Sequence, residues 1–136
     1  MPKPADTGSI IIVLATDAPL LPHQLKRIAK RATMGLARMG SYAGNGSGDI
    51  FLAFSTAKPA SKDGAPSTAE FIGNERIDPL FEASVQATEE AIVNAMVAAR
   101  DVLDGIDGNY AKAIDHRALI DLLKQHQRYL KPTGTK

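Results

Sequence analysis

The stretch Gly8-Ser9-Ile10-Ile11-Ile12-Val13-Leu14-Ala15-Thr16, read with Gly44-Asn45-Gly46-Ser47-Gly48-Asp49-Ile50-Phe51-Leu52-Ala53-Phe54-Ser55-Thr56, decides the fold. Both contain apolar runs without polar alternation, and the first is rich in β-branched side chains, the pattern of a strand buried on both faces. Between them Pro22 stands where a first helical turn begins. Leu25, Ile28, Ala29, Ala32, Leu36 and Met39 then recur at helical spacing up to Gly40, a C′ stop. The order is therefore strand, amphipathic helix, glycine-rich loop, strand. If the strands are neighbours, this unit brings Ser47 and Asp49 beside Ser9.

Working outward, residues 1–7 carry two prolines and small polar side chains and read as an extended linker. Residues 40–48 hold four glycines, so this backbone is expected to take positive φ and to approach a ligand or another chain closely. Residues 57–68 are dominated by Ala, Ser, Pro, Gly and Lys and read as an exposed connection. Asp78-Pro79 looks like an N-cap followed by proline at the first helical position. A long helix follows, with Leu80, Phe81, Val85, Ile92, Met96, Ala99 and Leu103 on one stripe and Glu82, Glu89 and Glu90 largely off it, ending before Gly105. After a polar connection over 104–109, a last helix is expected from about Asp115 through Leu119, Leu122, Leu123 and His126 toward Leu130.

The 136 residues fit one domain, long enough to bury a core and short for an enzyme with a complete substrate pocket. Sixteen Lys+Arg against fifteen Asp+Glu leave a formal net charge of +1, so no global field argues for nucleic acid or a membrane. The absence of cysteine excludes disulfides, thiol catalysis and thiolate metal sites. With 5% aromatic residues and no Trp, stacking platforms are scarce. No apolar h-region precedes Ile10, so a cytoplasmic location is expected, or a periplasmic one if a precursor carries a leader.

His23, His116 and His126 are dispersed and lack ligand spacing, so no metal is expected. Lys26, Arg27, Lys30 and Arg31 read as a solvated helix face rather than a nucleic-acid surface. The loop glycines lack the Lys-Ser/Thr of a P-loop and the order of a dinucleotide site, so phosphate cradling is not expected.

What remains is Ser9. A Gly-Ser before an apolar strand also fits a plain turn residue. The hydroxyl- and carboxylate-bearing loop one helix later adds the second reading, a nucleophile that becomes a new N-terminus. The runs from Gly8 to Leu20, His23-Gln24-Leu25-Lys26-Arg27 and Gly44 to Thr56 resemble the L-aminopeptidase D-alanine esterase/amidase family, which includes the β-peptidyl aminopeptidases. Asn74, Asp78-Pro79-Leu80-Phe81 and Glu89-Glu90-Ala91-Ile92 resemble, less specifically, its C-terminal helical region.

The resemblance implies an α+β, αββα-type layered sandwich of the self-processing N-terminal-nucleophile kind. Residues 1–8 would be the remnant ahead of the cut and 9–136 the smaller, nucleophile-bearing C-terminal subunit, about the last third of a precursor. It further implies cleavage at Gly8-Ser9, Ser9 as the nucleophile, and Ser47 and Asp49 beside it, Asp49 standing where some members carry Glu. A freed α-amine, with a reference pKa of about 8, is a suitable base for the serine hydroxyl. Backbone N–H groups over Gly44, Asn45, Gly46 and Gly48 are candidates for an oxyanion hole. The larger upstream subunit, which in the family supplies an asparagine and other pocket residues, is the expected partner. A peptide, amino-acid amide or ester is the expected substrate, and a homo-oligomer the expected assembly. The alternatives are a catalytically incomplete interaction domain and, on a related fold, an acyltransferase of the ornithine acetyltransferase kind, which uses threonine where Ser9 stands.

Overall fold

The computed structural model describes residues 8–57, 68–102 and 110–130. Its elements are β1 (Ile11–Thr16), α1 (Pro22–Arg38), β2 (Ile50–Ser55), a 3-10 turn (Asn74–Arg76), α2 (Asp78–Ala98) and α3 (His116–Gln125). The chain divides into two compact units, Met1–Ile92 and Val93–Lys136. Of the expected segments, the linker over 1–7, most of the 57–68 connection and the 104–109 connection lie outside the described residues. No helix among the described residues is long and apolar enough to cross a membrane.

In the first unit β1 and β2 pair in parallel, from Ile11 opposite Ile50 to Thr16 opposite Ser55. Parallel neighbours need a long crossover, and α1 supplies it. Leu21 is extended, as the residue before a proline must be, and α1 begins at Pro22. Its end is the expected one: Met39 caps the helix, and Gly40, at φ +99°, donates its N–H to the Ala37 carbonyl at 3.0 Å. Leu20, Ile28, Ile77 and Phe81 form the core, with Leu14, Leu25, Ala53, Ile72 and Leu80 packed against it.

Gln24 is buried at 1% exposure, although its residue type reads as surface. It is fully bonded: Oε1 accepts the Leu21 N–H at 2.9 Å, and Nε2 donates to the Ile72 carbonyl at 2.7 Å and to Asn74 Oδ1 at 3.3 Å. The start of α1 is thereby tied to the 3-10 turn. Arg27 also donates to Asn74 Oδ1, at 2.8 Å, and Arg27 and Arg31 lie over the Phe81 ring at 4.8 and 4.1 Å from its centroid. The basic cluster is thus only partly a solvated face: Lys26 and Lys30 are exposed, while the two arginines are half-buried on Phe81. A guanidinium stacks where an ammonium stays hydrated.

Two other expectations are corrected. β1 is not buried on both faces: like β2, it alternates between exposed and half-buried residues. The side carrying Leu14 and Ala53 packs on the core, whereas Ile11, Val13, Ile50, Leu52 and Phe54 stand exposed on the other. The sequence is apolar on both faces; the described residues cover one.

The second correction is that α2 stops at Ala98, so Ala99 lies past it, Met96 is exposed, and Leu103 falls outside the described residues. Its buried side is Phe81, Ser84 and Thr88, with Val85 and Ile92 half-buried. The buried hydroxyls are satisfied within the helix, Ser84 on the Leu80 carbonyl and Thr88 on the Ser84 carbonyl. Beyond Ala98 other bonds take the backbone: Val102 pairs antiparallel with Ala111, and Asp101 Oδ1 accepts the Ala113 N–H at 2.8 Å.

In the second unit α3 starts where expected. The Asp115 carboxylate caps it, accepting the N–H groups of Arg117 at 2.9 Å and Ala118 at 3.1 Å. The Ala118 bond and then the Arg117 bond hold this carboxyl below its ordinary value.

Candidate active site

The parallel register sets the site. With Ile11 opposite Ile50, continuing one and two residues back places Ile10 against Asp49 and Ser9 against Gly48. Three consecutive hydrogen bonds follow that alignment. Gly48 donates its N–H to Ser9 Oγ at 2.9 Å, Ile10 donates its N–H to Asp49 Oδ1 at 3.0 Å, and Ile50 donates its N–H to the Ile10 carbonyl at 2.9 Å. The first two use side chains to extend the ladder beyond the point where backbone pairing ends.

Ser9 is exposed and Asp49 half-buried. The N–H of Gly48 occupies one lone-pair position of Oγ and leaves the hydroxyl proton available to a base. A donor on this oxygen also stabilises charge that builds on it when the proton leaves. Close approach explains the glycine: a Cβ at position 48 would lie 3.3 Å from Ser9 Oγ. Positive φ does not explain it, since among the described glycines only Gly40 has that geometry, and Ala43, at φ 49°, is the left-handed residue of the loop.

Of the residues expected beside Ser9, Asp49 adjoins it through Ile10, and Ser47 does not bond to it among the described residues. The Ser47 N–H closes a turn on the Gly44 carbonyl at 2.8 Å. Two residues apart on an extended chain, Ser47 and Asp49 face one side, and both line an open groove of about 550 Å³ with Met34, Tyr42 and Phe51. The Ser47 and Gly48 N–H groups are therefore committed to Gly44 and Ser9 in this state. Sequence reasoning names the Gly48 amide as an oxyanion-hole candidate; its place on Ser9 Oγ instead follows from the register of the two strands.

No group of three or more His, Asp or Glu that could hold a metal ion is found among the described residues. His116 Nε2 bonds the Val97 carbonyl at 2.9 Å.

The profile of peptidase family S58 matches residues 2–111. A β-peptidyl aminopeptidase of Sphingosinicella microcystinivorans is 52% identical over 123 residues, 89% of this chain and 31% of that protein. Among solved structures, the L-aminopeptidase D-Ala-esterase/amidase of Ochrobactrum anthropi superposes with a TM-score of 0.80 at 48% identity, over 92% of this chain and 36% of that one. It is described as a prototype for the serine aminopeptidases and a new variant among the Ntn hydrolase fold. A Burkholderia sp. β-aminopeptidase gives a TM-score of 0.75 at 45% identity, over 92% and 36% of the two chains. The chain spans about a third of the length of these relatives. The α+β class and the family resemblance read from residues 8–20 and 44–56 both hold.

Proposed function

The chain belongs to peptidase family S58, and from that premise we propose that it is the nucleophile-bearing part of a self-processing serine aminopeptidase. The observation that carries this reading is Ser9 at the head of β1, its Oγ held by the Gly48 N–H at 2.9 Å and the next residue held by Asp49. In processing, Ser9 Oγ attacks the Gly8 carbonyl carbon. The Gly8–Ser9 C–N bond breaks as the hydroxyl proton passes to the leaving nitrogen, giving an ester. Water then cleaves the ester, leaving a Gly8 carboxylate and restoring the Ser9 hydroxyl beside a free α-amine.

That amine is the base for turnover. It takes the Oγ proton as Oγ attacks the substrate carbonyl and returns it to the departing amine or alcohol. Water, or another amine, then removes the acyl group. Ser47 serves as a proton relay on the groove side, and the backbone N–H groups of Gly44, Asn45 and Gly46 contribute to the oxyanion hole. The substrates are peptides, amino-acid amides or esters with a free amino terminus. The exposed apolar side chains Ile11, Val13, Ile50, Leu52 and Phe54 support a covering partner, the larger part of the same precursor. No metal or organic cofactor enters.

The test is the intact mass of the purified protein beside a Ser9→Ala control. The expected result is a species that begins at Ser9 in the wild type and is absent from the control, together with hydrolysis of amino-acid amides. A chain that stays whole and binds a partner without turnover would instead make this an interaction domain related to the family.

A further inference from the structure

Resting on that reading, we infer that Gly48 and Asp49 form a two-point clamp that fixes the nucleophile, with Asp49 acting as a positioning residue through the Ile10 amide. The Asp49 Oδ1 is engaged by the Ile10 N–H at 3.0 Å, while the Ile10 carbonyl takes the Ile50 N–H at 2.9 Å. Both backbone polar groups of Ile10 are thus tied to consecutive residues of the facing segment. One residue earlier, Gly48 grips Oγ itself at 2.9 Å.

The geometry matters because Ser9 stands before β1 and has no strand pairing of its own. Without the bond from Ile10 to Asp49 the entrance to β1 loses one of its ties to the facing segment, at a strand end, where fraying begins. A displacement of roughly 1 Å at a reacting atom costs on the order of 100-fold in rate. The clamp also accounts for the sequence Gly48-Asp49 at the entrance to β2: a Cβ at the first position would lie 3.3 Å from Oγ and press the hydroxyl out of place by a few tenths of an ångström, and the second position presents an acceptor. An acceptor is what the Ile10 amide requires; a negative charge is not.

The experiment uses the full chain, in the form that undergoes cleavage at Gly8–Ser9, with two readouts. Amide exchange by NMR reports the clamp directly. Asp49→Ala is expected to speed exchange at Ile10, and Ser9→Ala to speed it at Gly48, each about three- to tenfold for one lost hydrogen bond. Asp49→Asn, whose amide oxygen still accepts, keeps Ile10 protected. The cleavage rate reports the consequence. Asp49→Ala and Gly48→Ala are expected to slow cleavage by about 10- to 100-fold, and Asp49→Asn to recover most of what Asp49→Ala loses.

If Asp49→Asn is as defective as Asp49→Ala in cleavage while Ile10 stays protected, the charge is what matters and the positioning role is wrong. Unaltered exchange at Ile10 in Asp49→Ala, or at Gly48 in Ser9→Ala, overturns the clamp whatever the activity. Absence of cleavage in the wild type removes the processing reading alone, and the exchange data then decide the clamp.

Discussion

Gly35 sits in the middle of α1, where alanine is the better helix former by about 1 kcal/mol. By propensity alone, Gly35→Ala stabilises. The packing says otherwise: a Cβ there would lie 2.6 Å from both Thr88 Cβ and the Val85 carbonyl oxygen, and 2.9 Å from Thr88 Cγ2. The Val85 oxygen is backbone in the middle of α2 and cannot rotate away. Relief requires the helices to separate, loosening the contacts of Ile28, Ala32 and Phe81, all buried here. Overpacking of this kind costs about 1–3 kcal/mol and occasionally more. The contacts fall so far inside van der Waals distance that the upper half of that range applies, and after the propensity gain the net loss is about 1–2 kcal/mol. For a chain of this size that corresponds to a fall in Tm of about 3–10 °C. Urea denaturation followed by circular dichroism measures it, with an unchanged m-value expected. A Gly35→Ala protein as stable as the wild type, or more so, would show that propensity wins and that α1 and α2 do not approach this closely.

Gln24→Leu keeps the volume and strands the Leu21 N–H and the Ile72 carbonyl; a loss of about 2–3 kcal/mol is expected in urea titrations, and a neutral result would deny that Gln24 ties α1 to the 3-10 turn. The Asp115 carboxyl is depressed in the folded state, so its cap contributes stability above the unfolded carboxylate value and loses it as pH falls through the lowered folded value. Amide protection in α3 should therefore decline in acid and be low at all pH values in Asp115→Ala, whereas equal protection in the two proteins at neutral pH would rule out the cap. Leu52→Lys, on the exposed sheet face, should leave the stability of the isolated chain within about 0.5 kcal/mol yet loosen the hold on the covering part once the Gly8–Ser9 bond has been cut, read as reduced co-purification of the two pieces, and undiminished co-purification would place the cover elsewhere.

The strand, crossover helix and second strand were legible because each rests on periodicity and a local stop: Pro22 opens α1, Gly40 closes it, and the apolar runs flank them. Asp115 was legible for the same reason, a capping side chain directly before a periodic run. Other features depended on partners distant in sequence. Gln24 is buried because Leu21, Ile72 and Asn74 converge on it, and nothing local to position 24 records that. The end of α2 was misjudged because Met96, Ala99 and Leu103 continue a helical stripe, while the competing bonds of Val102 and Asp101 come from residues 111 and 113. At the site, the glycine between Ser47 and Asp49 reads from sequence as an oxyanion-hole donor, whereas its N–H is given to Ser9 Oγ. Only the register shows that Gly48 is the residue beside Ser9.

The exposed sheet face bears on the order of events in the proposed processing. Ile11, Val13, Ile50, Leu52 and Phe54 are 68, 54, 56, 55 and 44% exposed. Fully burying such a side chain is worth about 1.5–3 kcal/mol, so completing the burial of all five yields about 4–8 kcal/mol. Micromolar association requires about 8 kcal/mol net, after about 4–15 kcal/mol of lost translational and rotational freedom has been offset. This face alone is therefore too small to recruit a separate chain, although it suffices to orient a segment that is already tethered. That inequality argues for a cover that folds against β1 and β2 while still covalently joined to them, with the cut at Gly8–Ser9 coming afterward. It also fits the placement of the clamp, since Gly48 and Asp49 can hold Ser9 and Ile10 before the bond to Gly8 is broken and keep holding them once Ser9 has become a chain end.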